Sequence, residues 1–290
     1  MKTLPYDLLA LLGGILLFFG LSSTVYAYPT NTISKIYIFG DSLSDMGNNK
    51  AKGAPITNGE TWPYFLANEL IQVPSPKNQF KQQILPSNYG GTNYAVAGAN
   101  AAAIAGQIQN YLQTADQKAD PNAVYIIWGG GNDIIPNPKI DTSIVAKTLA
   151  DTAKQLLQAG ATQVYMLNLP DMGIVPNLPI PDHDQYSKAS TAFNQYLQKD
   201  IAGTAIHYID VAAFISYIHD KNNHLRYGLT NVTDSYTLID CRSKNDCNPN
   251  HYMFWAGPHP TAVIHMMIAT QVCNAMGDCF SPTSNAKAKN

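Results

Sequence analysis

Charge is what this sequence has least of. Asp, Glu, Lys and Arg make up 13% of its 290 residues, about half the usual share. The net charge of −2 comes without a basic tract or an acidic tail. That speaks against nucleic-acid binding and against electrostatic attachment to anionic lipid, so any contact with lipid has to be apolar. Cysteine is scarce too, with four residues, and no pair has the close C-x₂-C spacing of a zinc site. Long apolar runs are missing after the first few tens of residues. In place of charge the chain carries Asn, Gln, Ser, Thr and 17 Tyr, which must cover its surface.

The N-terminus reads as a separate object. Lys2, an apolar run from Leu8 to Leu21 and the small-residue site Val25-Tyr26-Ala27 form a secretory signal over 1–27, cut between Ala27 and Tyr28. The rival is a membrane anchor, but the uncharged run of about 14 residues falls short of the ~20 that span a bilayer. The expectation is a secreted protein, extracellular or periplasmic, whose residues 28–290 form a single domain. In an oxidising compartment the cysteines pair. Of the three pairings, the local ones, Cys241–Cys247 and Cys273–Cys279, are favoured because each encloses a polar stretch able to loop out.

Apolar strand-like runs alternate with helical patterns along the rest of the chain. Ile36–Phe39, Asn93–Val96, Ala123–Trp128, Val164–Leu169 and Ala205–Ile209 read as strands. Thr61–Leu70 and Ser187–Ile201 read as helices, as does a run through Ile144, Leu149 and Leu156 with Asp141 as N-cap and Gly160 as stop. Alternation of this kind predicts an α/β fold with a central parallel sheet and helices on both faces.

Ser42 directly follows the first strand, at the sheet edge where α/β proteins place ligands, and is a candidate nucleophile. Asp41 and Ser42 as a plain helix cap is the alternative. Gly98 and the Trp128-Gly-Gly-Gly-Asn132-Asp133 segment leave their strands through small residues, which lets backbone N–H groups approach a ligand. His259 stands between two prolines ahead of an apolar helical run. Acyl transfer from serine needs a base within hydrogen-bond reach and preorganised donors for the oxyanion. Ser42, His259, the Ser42 and Gly98 N–H groups and the Asn132 amide supply that set if their loops converge.

Gly-Asp-Ser42-Leu, Gly98, Gly-Gly-Asn132-Asp and His259-Pro, in this order, resemble the four blocks of the GDSL lipases, or SGNH hydrolases. Tyr227–Asp234 is similar to a segment of their secreted bacterial branch, which includes lysophospholipases A and glycerophospholipid:cholesterol acyltransferases. The resemblance implies a flavodoxin-like three-layer sandwich and a serine esterase without metal or organic cofactor. Ser42 would be the nucleophile and His259 the base. Ser42, Gly98 and Asn132 would form the oxyanion hole. It further implies lysophospholipid or phospholipid as substrate and a sterol as acyl acceptor. A protease that nicks the Cys241–Cys247 loop at Arg242 or Lys244 would be an activating partner. Apolar residues in two proline-rich loops, Ile134, Ile135, Ile174, Val175, Leu178 and Ile180, suit an acyl chain better than a sugar. A carbohydrate or aryl esterase is the competing reading.

One position departs from the family. Its members usually carry aspartate three residues before the histidine, and here that residue is Ala256. Three arrangements are compatible with this. A backbone carbonyl near Ala256 orients His259, or a carboxylate such as Asp240 or Asp246 stands in, or the site is crippled and the protein binds without turning over.

Overall fold

The computed structural model describes residues 33–49, 56–72, 80–178, 183–240 and 247–277. The signal segment, Asp246, Ile180, Cys241 and Cys279 lie outside them, so one member of each expected cysteine pair does too. The proposed nicking sites Arg242 and Lys244 also lie outside.

Four apolar runs form a parallel sheet in the order β1 (Lys35–Gly40), β2 (Ala123–Trp128), β3 (Gln163–Leu167) and β4 (Ile206–Ile209). Every residue of β2 and β3 is buried, as expected for central strands covered on both faces. Side chains alternate with a period of two. Ile36, Ile38, Val124 and Ile126 enter one apolar layer, and Phe39, Tyr125 and Ile127 the other. The helices are α1 (Trp62–Gln72), α2 (Ala101–Thr114), the single turn α3 (Gly131–Ile134), α4 (Thr142–Gln158), α5 (His183–Ile201), α6 (Val211–His219) and α7 (Ala262–Met276). Leu66, Ile215 and Ile268 seat α1, α6 and α7 on the first layer, while Ile108, Leu149 and Phe193 seat α2, α4 and α5 on the second.

The expected strand at Asn93–Val96 is a partial one. Three backbone hydrogen bonds run it parallel beside β1, from Ile38 N–H to the Thr92 carbonyl, Tyr94 N–H to the Ile38 carbonyl and Val96 N–H to the Gly40 carbonyl. Only Asn93 is paired as a strand residue there. On its outer side Asn93 bridges to Pro86 through backbone hydrogen bonds with Leu85 and Ser87, and one side-chain amide adds to them. Asn48 Nδ2 donates to the carbonyls of Asn93 and Ala95, at 2.7 and 2.9 Å. Counting this segment as second in the chain, the strand order is 2-1-3-4-5, the flavodoxin-like order.

Caps explain several helix limits. Asp141 accepts the Ser143 N–H at 3.0 Å, and Gly160, with φ +107°, closes the chain after α4. Neither α2 nor α6 was expected from the sequence, yet both begin on side-chain caps, Asn100 to Ala103 N–H and Asp210 to Ala213 N–H, each at 2.9 Å. Also unexpected is a small second sheet. Its strands are β5 (Asn231–Ser235), β6 (Tyr252–Ala256) and β7 (His259–Pro260), with β5–β6 parallel and β6–β7 antiparallel. Among the described residues no helix is long and apolar enough to cross a membrane.

The end of β1 is held tightly. The Gln107 side chain accepts from Gly40 N–H and donates to the Gly40 carbonyl, both at 2.9 Å. A Cβ on Gly40 would sit 2.6 Å from the Trp128 carbonyl oxygen on the paired strand. Gly40→Ala should therefore cost about 1–3 kcal/mol by overpacking. The measurement is the denaturant midpoint, and an unchanged midpoint would show that this strand end is looser than the geometry requires.

Candidate active site

Ser42 sits in a turn that Asp41 closes. The Asp41 carboxylate accepts Leu43 N–H at 3.0 Å, and its carbonyl accepts the N–H groups of Ser44 and Asp45. Asp41 is nevertheless buried, and desolvation pushes its carboxyl up to about 7. The Leu43 N–H opposes that shift, while nearby Asp133 adds to it. Ser44 is not available as a rival hydroxyl, being fully buried and bonded to Trp62 Nε1 at 3.0 Å.

His259 opens β7 in a tight reversal from β6, where Ala256 and His259 are register partners. Gly257 takes the left-handed φ of +53° that this turn requires, and its N–H donates to buried Ser235 at 3.0 Å. The imidazole then bridges two groups. Nε2 lies 2.9 Å from Ser42 Oγ, and Nδ1 lies 3.1 Å from the Ala256 carbonyl oxygen. A carbonyl can only accept, so Nδ1 carries the proton and Nε2 offers its lone pair to the serine hydroxyl. Burial holds the His259 pKa below its ordinary value, partly offset by the hydrogen bond to Ala256.

Of the arrangements open for position 256, the geometry therefore matches the backbone carbonyl. Among the described residues no carboxylate bonds to the ring. Asp240 lines a different cavity with Pro176, His183 and Ser235. No sequence signal marks this acceptor, because every residue has a carbonyl.

Gly98 and Asn132 also meet Ser42. Gly98 has φ +87°, and neither its N–H nor that of Ser42 bonds to another described residue. Asn132, in the α3 turn, donates one amide hydrogen to the Ala99 carbonyl at 3.0 Å, which leaves its second N–H uncommitted. Ser42, Gly98, Asn132, Ala256 and His259 share the wall of an open cleft of about 560 Å³.

A second, narrower cavity, about 80 Å³, runs from Ser42, Asn132 and His259 into the apolar layer. Ile135, Ile174 and Val175 line it, as expected for three of the loop residues. Ile134 does not, because it faces the core beneath, and Leu178 packs against the core instead. Most of the wall comes from residues that sequence reasoning did not single out, among them Ile215, Met253, Phe254, Ile264 and Ile268. They lie on α6, β6 and α7, and the apolar run after His259 was a signal only for the two on α7.

The family model described as GDSL-like lipase/acylhydrolase matches residues 36–272. The chain belongs to that family. This GDSL hydrolase is 33% identical over 169 residues to Lipase 1 of Photorhabdus luminescens, covering 54% of the chain and 24% of the relative. It is 26% identical over 158 residues to the phosphatidylcholine-sterol acyltransferase of Aeromonas hydrophila, covering 50% and 47%. The chain thus spans less than half the length of these curated relatives. A crystal structure of a lipolytic G-D-S-L family member from Veillonella parvula superposes with a TM-score of 0.51 at 16% identity, over 83% of this chain and 97% of that one. This likeness shows the shared fold.

Two buried groups give this GDSL hydrolase opposing pH dependences of stability. Asp41 titrates at about 7 when folded and near ~3.9 when unfolded. The folded state thus keeps a proton that the unfolded state has lost, and stability falls as pH rises from about 4 to about 7. His265 is pushed down to about 3, first by burial and then by His259. Its contribution falls as pH drops from ~6.5 toward that value. Asp41→Asn removes only the first effect. Denaturant midpoints of the variant should climb more steeply than those of the parent between pH 4 and 7, and parallel profiles would refute the Asp41 assignment.

Proposed function

We propose that this chain is a secreted serine esterase that hydrolyses acyl esters of the lysophospholipid type. One observation carries the reading: an apolar cavity and an open cleft meet at Ser42 and His259. The cavity takes the acyl chain and the cleft takes the alcohol. Ser42 Oγ attacks the ester carbonyl while His259 Nε2 takes its proton. The carbonyl oxygen becomes an oxyanion facing the Ser42 and Gly98 N–H groups and the free N–H of Asn132. The C–O bond then breaks, the leaving alcohol takes the proton from His259, and the acyl group stays on Ser42. Water repeats the sequence and releases the fatty acid. Transfer to an alcohol such as a sterol uses the same steps, and the name of the Aeromonas relative supports it as a second reading. Secretion rests on the signal-like segment at 1–27.

The test is hydrolysis of monoacyl phosphatidylcholines of increasing chain length beside 4-nitrophenyl acetate and acetylated xylan, with Ser42→Ala as the inactive control. Each methylene that enters the cavity is worth about 0.8 kcal/mol, so kcat/KM should rise up to roughly fourfold per carbon until the cavity fills. Ile174→Phe should cut activity on long chains and spare acetate. A flat chain-length series, or a preference for the sugar ester, would overturn the lipid assignment.

Ala256→Asp tests the base. A carboxylate beside Nδ1 raises the imidazole pKa, so the acidic limb of kcat/KM should move to higher pH. Turnover should change less than about tenfold, because the carbonyl already selects the correct tautomer, the function whose loss costs about 10⁴ in serine proteases. A gain of about a thousandfold would mean that the carbonyl does not orient His259 in solution.

A further inference from the structure

We propose that Asn49 is a positioning residue for the oxyanion: its side-chain amide holds the peptide unit between Ala97 and Gly98 so that the Gly98 N–H faces the cleft. The proposal rests on acyl transfer at Ser42 as read above and adds what keeps one of its donors in place.

The loop after Ser42 acts as a clamp. Buried Asp45 accepts Gly47 and Asn48 N–H on one carboxylate oxygen, both at 2.8 Å. Its other oxygen accepts Asn49 N–H at 3.2 Å and Ala97 N–H at 2.7 Å. One carboxylate thus fixes the backbone of Asn49 beside that of Ala97. From there Asn49 Nδ2 donates to the Ala97 carbonyl at 3.1 Å. Both polar groups of Ala97 are tied to the loop that carries the nucleophile.

The consequence follows from peptide geometry. The Ala97 carbonyl and the Gly98 N–H belong to one planar trans unit and point in opposite directions. Whatever holds the carbonyl toward Asn49 holds the N–H away from it; Gly98 lines the cleft together with Ser42, Ala97 and Asn49. Gly98 has φ +87° and no Cβ, so sterics do little to prevent this peptide from turning over. Turned over, it would present a carbonyl oxygen to the developing oxyanion. The Asn49 hydrogen bond is what opposes that rotation.

The test compares the parent with Asn49→Ala and the near-isosteric Asn49→Asp, whose added oxygen repels the Ala97 carbonyl and which covers any folding defect of the alanine variant. The substrate is 4-nitrophenyl butyrate, and the second probe is an alkyl trifluoromethyl ketone, which forms a tetrahedral oxyanion adduct on serine. Removing an oxyanion donor outright costs about 10²–10³ in kcat, so loosening one should cost about ten- to a hundredfold. KM should stay within about threefold, the acidic limb set by His259 should not move, and inhibition by the ketone should weaken by the same factor as kcat/KM. A general structural lesion would shift the limb or KM as well. Both variants keeping kcat within about threefold of the parent would overturn the proposal, as would a loss confined to KM or a shifted limb. A parent without Ser42-dependent turnover would overturn the esterase reading itself, whereas an active parent with indifferent variants would overturn only the role of Asn49.

Discussion

Everything distinctive in this molecule depends on one contact, the 2.9 Å hydrogen bond between Ser42 and His259 across 217 residues of chain. Ser42 is held by the end of β1, which is buried and paired on both sides. His259 is held by a hairpin at the edge of a separate small sheet, so the contact needs that sheet fixed to the first layer. Thr261 does much of the fixing. It is fully buried, its N–H donates to the Met253 carbonyl, and its hydroxyl donates to the Tyr252 carbonyl at 2.7 Å. Asn58 then accepts Ala262 N–H at 2.7 Å, tying the start of α7 to the segment ahead of α1.

That arrangement changes what a third catalytic group has to do. In a Ser-His-Asp site the aspartate selects the imidazole tautomer, orients the ring and stabilises the imidazolium. The Ala256 carbonyl performs the first two from within the hairpin that carries His259. It supplies a dipole instead of a full charge, and so stabilises the protonated ring less. Burial holds the His259 pKa below its ordinary value, and the carbonyl offsets only part of that shift. The base is neutral over a wider pH range and weaker once engaged, which suits esters better than amides because the leaving alkoxide asks less of the acid.

Much of the fold was legible because it is periodic. The runs of β1 and β2, the α4 pattern and the Asp141 cap are local signals, and the structure keeps them within a few residues. The second sheet was not legible. Polar Asn231–Ser235 has no strand pattern, and its pairing with β6 is settled by tertiary contacts. Nor was α2, where three alanines after Asn100 show no amphipathic contrast at the start. At the site, Ser42, Gly98, Asn132 and His259 were legible as residues that the structure brings to one place. The acceptor for His259 showed only as a missing aspartate, since a backbone group leaves no mark in the sequence. The deep wall of the apolar cavity was hidden for a related reason: Ile264 and Ile268 read as ordinary core positions until the fold shows a gap beside them.

The scarcity of charge in the sequence reappears at the site as a preference for dipoles. His259 is oriented by a carbonyl, and the oxyanion donors are two backbone N–H groups and an amide. The carboxylate of Asp45 is surrounded by four N–H groups, and burial holds Asp41 largely protonated below about pH 7. Next to an apolar cavity this composition has a physical logic. Full charges there would carry a desolvation cost of several kcal/mol each, and they would attract water into space meant for an acyl chain. Fixed dipoles avoid most of that cost and need no reorganisation when charge appears on the substrate. Their weakness is that a dipole works only in one orientation. The polar side chains of this low-charge chain are accordingly spent on holding backbone groups still: Gln107 on Gly40, Asn48 on Asn93 and Ala95, and Asn132 on Ala99.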